Sequence, residues 1–248
     1  MKSHLEITHS ACRERSAQNV VLCSQHGDLA EPALVEACQR LRYRIYRGEL
    51  GLDTPDMDHQ RAIDVEARDP FCRFLVAKDD YGEVLGCVRM QSARPPSFYA
   101  EDEFVLQDPW WREQQLVEGA RFVVAPAARA QQISLLLFQA FRDLARREGR
   151  STLLSVAIVP AADASRAQLA ALTHYVQTRV ALHTERACPA PGYELEPSTP
   201  AELAAHAETP VTIPPMLRLL ATRRTTLCSP PAYCRRFRTF NFLLATQL

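Results

Sequence analysis

The residues of most chemical interest lie in the segment 116–134, LVEGARFVVAPAARAQQIS, where an acid within an apolar strand is followed by a basic turn that opens a helix. Strand alternation puts Glu118, Ala120, Phe122 and Val124 on one face and Gly119, Arg121 and Val123 on the other, so one acid sits among apolar neighbours. Pro126 cannot donate a ladder hydrogen bond and ends the strand. Arg129 then stands at the entrance to an apolar helix read over 131–144, where free backbone N–H groups and the arginine together suit a phosphate. A ligand with a phosphate at one end and chemistry at the other matches an acid placed one strand-length from such a turn. Phosphopantetheine is such a ligand, and its thioester is open to attack by an amine that a carboxylate, directly or through a water, has deprotonated. The same residues also read as a buried strand with an incidental glutamate and a solvated arginine. A glutamate against an apolar wall gains basicity by desolvation, and Arg121 and Arg89 oppose that gain.

The elements that must position these groups follow from periodicity. Residues 20–23 form a short apolar run that reads as a first strand. In EPALVEACQRLRYRIYRGELG, the residues Leu34, Ala37, Cys38, Leu41, Ile45 and Tyr46 recur at helical spacing, and Gly51 supplies the stop. The acid-rich run 52–69 reads as a long loop, a length often kept for function. Runs 71–77 and 84–90, joined by KDDYGE, make an antiparallel hairpin. The Glu118 strand, the long helix ending at Gly149, an apolar strand over 151–159 and a helix over 164–178 come next. A Pro- and Ala-rich surface excursion occupies 188–210, and a short helix over 216–221 and a closing strand over 240–245 complete the chain. This order predicts an α/β fold with a mixed, mostly antiparallel central sheet flanked by helices. Residues 1–18 read as a loose lead-in and 19–248 as a single domain.

Composition narrows the function. The 248 residues carry 29 basic and 29 acidic side chains, so zero net charge exerts no global pull on nucleic acid or membrane, and an electrostatic partner must meet a local patch. One candidate patch is C-terminal: Arg218, Arg223, Arg224, Arg235, Arg236 and Arg238 lie in a stretch without any acid. The start has no apolar core of signal-peptide length and no segment approaches the roughly 20 apolar residues of a membrane span, which predicts a cytoplasmic protein. Eight cysteines without a CxxC pair and seven histidines without ligand spacing predict reduced thiols and no metal.

With these elements in order, the chain resembles the GCN5-related N-acetyltransferase (GNAT) fold, and more closely its acyl-carrier-protein-using branch of N-acyl amino acid synthases, acyl-homoserine-lactone synthases and ornithine lipid N-acyltransferases. Three segments carry the resemblance: LRYRIYRGELG (41–51); GCVRM followed by EGARFVV; and IPPMLRLL followed by SPPAYCRRFRTFNFLLA. The first implies that Arg42 and Tyr46 lie under the acyl-donor site. The second places Arg89 on the family's strand arginine, Glu118 on its general base and Arg121 on the arginine three residues later. Asp64, in the acid-rich loop, corresponds to a substrate-side aspartate. The C-terminal segment matches amino acid and ornithine acylating members better than homoserine-lactone synthases, although Cys234 and Asn241 stand where the family commonly has acids.

The reaction implied is transfer of a fatty acyl group from an acyl-carrier-protein thioester to the amine of an amino acid or related amine. Glu118 takes the proton, and Arg121 or Arg42 meets an acceptor carboxylate or pairs internally. The backbone of Phe122, Val123 and Val124, with Arg129 and the helix start at Gln131, Gln132 and Ile133, holds the donor. Gln132 and Ser134 occupy positions that are small where a coenzyme A pyrophosphate must approach backbone, which favours the single phosphate of carrier-bound phosphopantetheine over acyl-coenzyme A. No tightly bound cofactor is expected. The arginine-rich C-terminal segment suits an acidic carrier protein. Leu135, Leu136, Leu137, Phe138 and Phe141, with Phe74, Phe104 and Leu154, are candidates for an acyl slot, and otherwise core. The competing classes are a coenzyme A-dependent acetyltransferase, an acyl-homoserine-lactone synthase and a non-catalytic carrier-binding module.

Overall fold

The structure is a computed structural model and describes residues 19–161 and 165–248, apart from the side chains of Ala130 and Gln131. The expected lead-in therefore lies outside the described residues. Two compact units divide the chain. The first holds the described residues up to Pro96 together with Gly119–Glu148, and the second holds Ser97–Glu118 and Gly149–Leu248.

In chain order, strand β1 (Asn19–Ser24) leads to helix α1 (Pro32–Tyr43), which has Pro32 in its first turn and buries Val35, Cys38 and Leu41. The expected helix over 34–46 ends earlier as an α-helix, because Arg44–Glu49 widens into a π-helical turn in which Leu50 N–H reaches the carbonyl of Ile45. Gly51, at φ +64°, then stops the helix as its sequence position predicts. Within the acid-rich loop, β2 (Met57–Asp58) and β3 (Ile63–Asp64) pair as a short ribbon. The predicted hairpin is β4 (Arg73–Lys78) and β5 (Val84–Gln91), antiparallel, with β1 antiparallel to β4 on its other side. The stretch between hairpin and Glu118 holds a 3-10 turn, Tyr99–Asp102, a two-residue strand β6 (Phe104–Val105) and one helical turn α2 (Trp110–Glu113).

Strand β7 (Leu116–Val124) ends before Pro126 as expected. Its alternation does not run through, because Arg121 adopts a left-handed conformation with φ +54° and kinks the strand as a bulge does. Helix α3 (Ile133–Arg147) starts two residues later than the predicted Gln131: Pro126–Gln131 is a 3-10 turn and Gln132 is left-handed at φ +59°. Ile133, Leu137, Phe138, Phe141 and Leu144 form its buried stripe, and Gly149 at φ +69° follows its end. Gly86 on β5 is what admits this helix. A Cβ there would lie 3.0 Å from both Ile133 Cγ2 and the Val123 carbonyl.

The remaining elements are β8 (Thr152–Pro160), α4 (Arg166–Gln177), β9 (Ala181–Leu182), β10 (Cys188–Pro189), α5 (Pro200–Ala205), α6 (Pro215–Leu220), β11 (Thr225–Leu227), β12 (Ala232–Cys234) and β13 (Thr239–Gln247). The first unit orders its strands β1-β4-β5-β7. The second begins with the first three residues of β7, parallel to β8, and continues antiparallel through β13 to β11, with β9 parallel to β11 and β12 antiparallel to β13. A separate pairing joins β6 to β10. Each unit buries its own apolar cluster: Cys23, Val35, Cys38, Leu41, Phe74, Val76 and Cys87 in the first; Phe98, Phe104, Trp111, Leu154, Cys228 and Leu243 in the second. The seven described cysteines are free thiols, and burial pushes Cys23 and Cys228 up to about 12. Sheet order, the mostly antiparallel pairing and the flanking helices agree with the predicted fold class.

Candidate active-site groups

Four arginines and four acids meet inside the first unit. Arg42, fully buried on α1, places Nε 2.8 Å from Asp64 Oδ2, donates from Nη2 to Asp69 Oδ2 at 2.6 Å and reaches the Asp64 carbonyl. Arg89 on β5 pairs with Glu66 and with Asp69 Oδ1 at 3.3 Å. Arg68 binds Glu66 at 2.9 Å. Arg121 donates from Nε to Glu66 at 2.9 Å, lies 3.3 Å from Asp56 through Nη2, and stacks its guanidinium 5.7 Å from the Tyr46 ring centroid. Burial would raise Glu66, yet Arg89 and Arg121 bring it down to about 2; for Asp69, burial is likewise outweighed by Arg42. Asp64 goes the other way, because burial dominates over Arg42 and Arg121 and pushes its carboxyl up. Burial also raises Tyr46. The non-glycine left-handed backbone of Arg121 is strained, and the ion pairs of its side chain hold it there.

Sequence reading named Arg42, Tyr46, Asp64, Arg89 and Arg121, and the structure brings these five together. It missed Arg68 and the acids Asp56, Glu66 and Asp69, whose charges balance the arginines. The signal was present as the unusual density of acids in 52–69. The internal pairing read for Arg42 is what the structure shows, and Arg89 and Arg121 are paired in the same way.

At the turn after β7, Arg129 is a half-exposed side chain in a 2.6 Å pair with Glu49, the last residue of the π-helical turn. The cation expected at the helix start is therefore matched by an acid. Ile133 is wholly buried under α3, so it can serve a donor only through its backbone N–H, and Gln132 makes no side-chain cap. Val123 belongs to the first unit's core, leaving backbone groups as what the strand can offer. The Gln131 side chain lies outside the described residues.

Glu118, in the second unit, is 1% exposed. Its two oxygens accept backbone N–H groups at the start of the 3-10 turn, Tyr99 N to Oε2 and Ala100 N to Oε1, both at 2.8 Å. Two oriented amides stabilise an ionised carboxylate and fix its direction. The Tyr99 hydroxyl donates to Glu103 Oε1 at 3.0 Å, and Asn241 Nδ2 donates to Glu103 Oε2 at 2.6 Å. Of this set, sequence reading had only Glu118, with Asn241 noted as a departure.

Of the acyl-slot candidates, Phe74 lies in the first unit's core, Phe104 and Leu154 in the second's, and Leu135 is exposed. One expectation changes. The six C-terminal arginines are all exposed but do not make one patch. Arg224 adjoins Gln247, whose N–H it accepts, whereas Arg235, Arg236 and Arg238 gather at the Thr239 end of β13, about 27 Å away for nine strand residues. Among the described residues no cluster of three or more His, Cys, Asp or Glu suits a metal ion, and no helix is long and apolar enough to cross a membrane.

Comparison with known proteins adds a context. Residues 41–139 match the acetyltransferase (GNAT) domain family. An L-ornithine N(alpha)-acyltransferase of Rhodobacter capsulatus is 29% identical over 153 residues, 57% of this chain and 59% of that protein, so the chain spans somewhat under two thirds of this relative's length. Among solved structures, the CoA-dependent acyl-homoserine lactone synthase BjaI, with SAM and isopentyl-CoA, superposes with a TM-score of 0.53 at 15% identity, covering 93% of this chain and 83% of the other. A second CoA-dependent acyl-homoserine lactone synthase, MesI, gives 0.51 at 11% identity over 91% of this chain and 87% of its own. These two likenesses are likenesses of fold.

Proposed function

We propose that the protein, whose residues 41–139 match the acetyltransferase (GNAT) domain family, is an N-acyltransferase that moves a fatty acyl group from an acyl-phosphopantetheine thioester on acyl carrier protein to the amine of an amino acid or related amine. The observation that carries this reading is Glu118, a buried carboxylate held by two backbone amides at the start of the strand that leads to the donor turn. The acceptor ammonium gives one proton to Glu118, its nitrogen forms the C–N bond at the thioester carbonyl, and the C–S bond breaks with the electron pair leaving on the pantetheine sulfur, which takes the second nitrogen proton and departs as the thiol. A carboxylate oxygen carries two lone pairs, so accepting an N–H and accepting a proton are compatible chemically. Backbone N–H groups around Phe122, Val123 and Val124, beside the kink at Arg121, hold the thioester and pantetheine amides. Arg129 exchanges Glu49 for the donor phosphate, helped by the N-terminal end of α3 with Gln131, Gln132 and Ile133. Arg121, with Tyr46 beneath it and Arg42, Asp64 and Arg89 behind it, forms a rigid floor in the first unit, which supports a positioning role for these five.

The carrier-protein donor is favoured by the bulk of Gln132 and Ser134 and by the exposed Arg235, Arg236 and Arg238, whose charge suits an acidic partner. A coenzyme A donor is the second reading, favoured by the two CoA-dependent synthases of similar fold. Mass spectrometry of products formed with acyl carrier proteins of several chain lengths, with acyl-coenzyme A, and with pooled amino acids and amines separates the readings. Acyl-amide made from carrier protein but not from coenzyme A is the expected result. Efficient turnover of acyl-coenzyme A alone overturns the donor, and no amide from either donor overturns the reaction.

A further inference from the structure

The proposed base is connected to a second buried acid on which the acyl-transfer step makes no call. Tyr99 joins the two. Its backbone N–H points at Glu118 Oε2 and its phenol O–H at Glu103 Oε1, so one residue is anchored by a carboxylate at each end. Glu103 is 2% exposed, and its other oxygen accepts from Asn241, the third residue of β13, which has no exposure and whose register is fixed by Ile158 on one side and Ala232 on the other. The Glu103 main chain closes the same turn, its N–H reaching the Ala100 carbonyl and its carbonyl accepting from Ala190. Burying a carboxylate costs several kcal/mol unless it is well partnered, and an apolar side chain would close a 3-10 turn without that cost. A phenol pinned at its tip cannot swing, and a fixed Tyr99 fixes the two amides that aim Glu118.

We infer that Glu103 and Asn241 are positioning residues that act through Tyr99 to hold the Glu118 carboxylate in its catalytic direction. The inference rests on the reading of Glu118 as the base. Misplacement of a catalytic group by about 1 Å lowers turnover on the order of 100-fold.

The test combines Tyr99→Phe and Glu103→Gln with Glu118→Gln in double-mutant cycles on the full chain, and adds amide hydrogen exchange of the same variants. Each single change should lower kcat about 10- to 100-fold with KM for the acyl donor unchanged, and should have no further effect once Glu118 is glutamine. Equal losses in both backgrounds, or a change confined to KM, would overturn the inference. Exchange at Tyr99 and Ala100 N–H should rise at least about tenfold in Glu103→Gln while that of the β8 and β13 ladder amides stays as it was; a uniform rise, or none, rejects the relay in favour of a merely structural contact. Full turnover by Glu118→Gln removes the base reading instead, and the exchange result at Tyr99 and Ala100 then still decides whether Glu103 holds that carboxylate.

Discussion

The two units supply different groups to their buried carboxylates. In the first, carboxylates are held by guanidinium groups, and Arg42, Arg89 and Arg121 are each shared between acids, so removing one partner strands another inside the core. In the second, two peptide N–H groups hold Glu118, one on each oxygen at 2.8 Å. Charge pairing builds a floor that tolerates little change. Amide N–H groups aim a carboxylate and favour its ionised form. The difference shows why the arginines around a candidate site need not be the groups that meet substrate.

Breaking the first arrangement should have the larger effect. Asp69→Ala leaves Arg42 without one of its two buried acids, and the expected loss is about 3–5 kcal/mol in urea unfolding of the intact chain. Glu118→Gln presents an NH2 group to one of the two amide donors, so a smaller destabilisation of about 1–3 kcal/mol is expected, together with a fall in kcat of at least about 100-fold. A loss of stability as large as that of Asp69→Ala would erase the distinction.

Acid titration sharpens the comparison without mutation. Glu66 is depressed from an ordinary 4.5 to about 2, so its contribution is complete above about pH 4.5 and disappears as pH falls through the interval toward 2. Asp69, also depressed, adds to the loss in the same direction. Asp64 is raised, so its protonation favours the folded state as pH falls; Asp64→Asn should steepen the acid limb slightly, whereas Glu66→Gln should flatten it strongly. Unfolding curves collected from pH 6 to pH 2 check both. The smallest effect belongs to the exposed pair of Arg129 and Glu49. Glu49→Gln should change stability by less than about 1 kcal/mol, yet lower KM for the phosphopantetheine donor by freeing Arg129; an unchanged KM would argue against the phosphate role.

What could be read from sequence was local. The hairpin, the Glu118 strand and α3 announce themselves through periodicity and through Pro126 and Gly149. The start of α3 was misplaced because a left-handed glutamine has no sequence signature, and the kink at Arg121 for the same reason. The ion network was half legible: Arg42 and Arg89 stood out by resemblance, whereas Glu66 and Asp69 are partners 20 or more positions away from them and looked like ordinary loop acids. The basic C-terminal run shows the converse failure. Adjacent in sequence, its arginines are set apart by the length of β13. Glu103 carried no signal, since its role follows from Asn241, 138 positions later.

The π-helical turn at Arg44–Glu49 can be restated as one residue of surplus chain. An α-helix advances about 100° per residue, so deleting a single residue between 44 and 49 would restore the ordinary winding and rotate Glu49 by that angle about the helix axis. Arg129 would then lose its pairing acid. On the proposed reading of Arg129 as a phosphate ligand, its hold on a donor would be set by chain length at a position well removed from it in sequence.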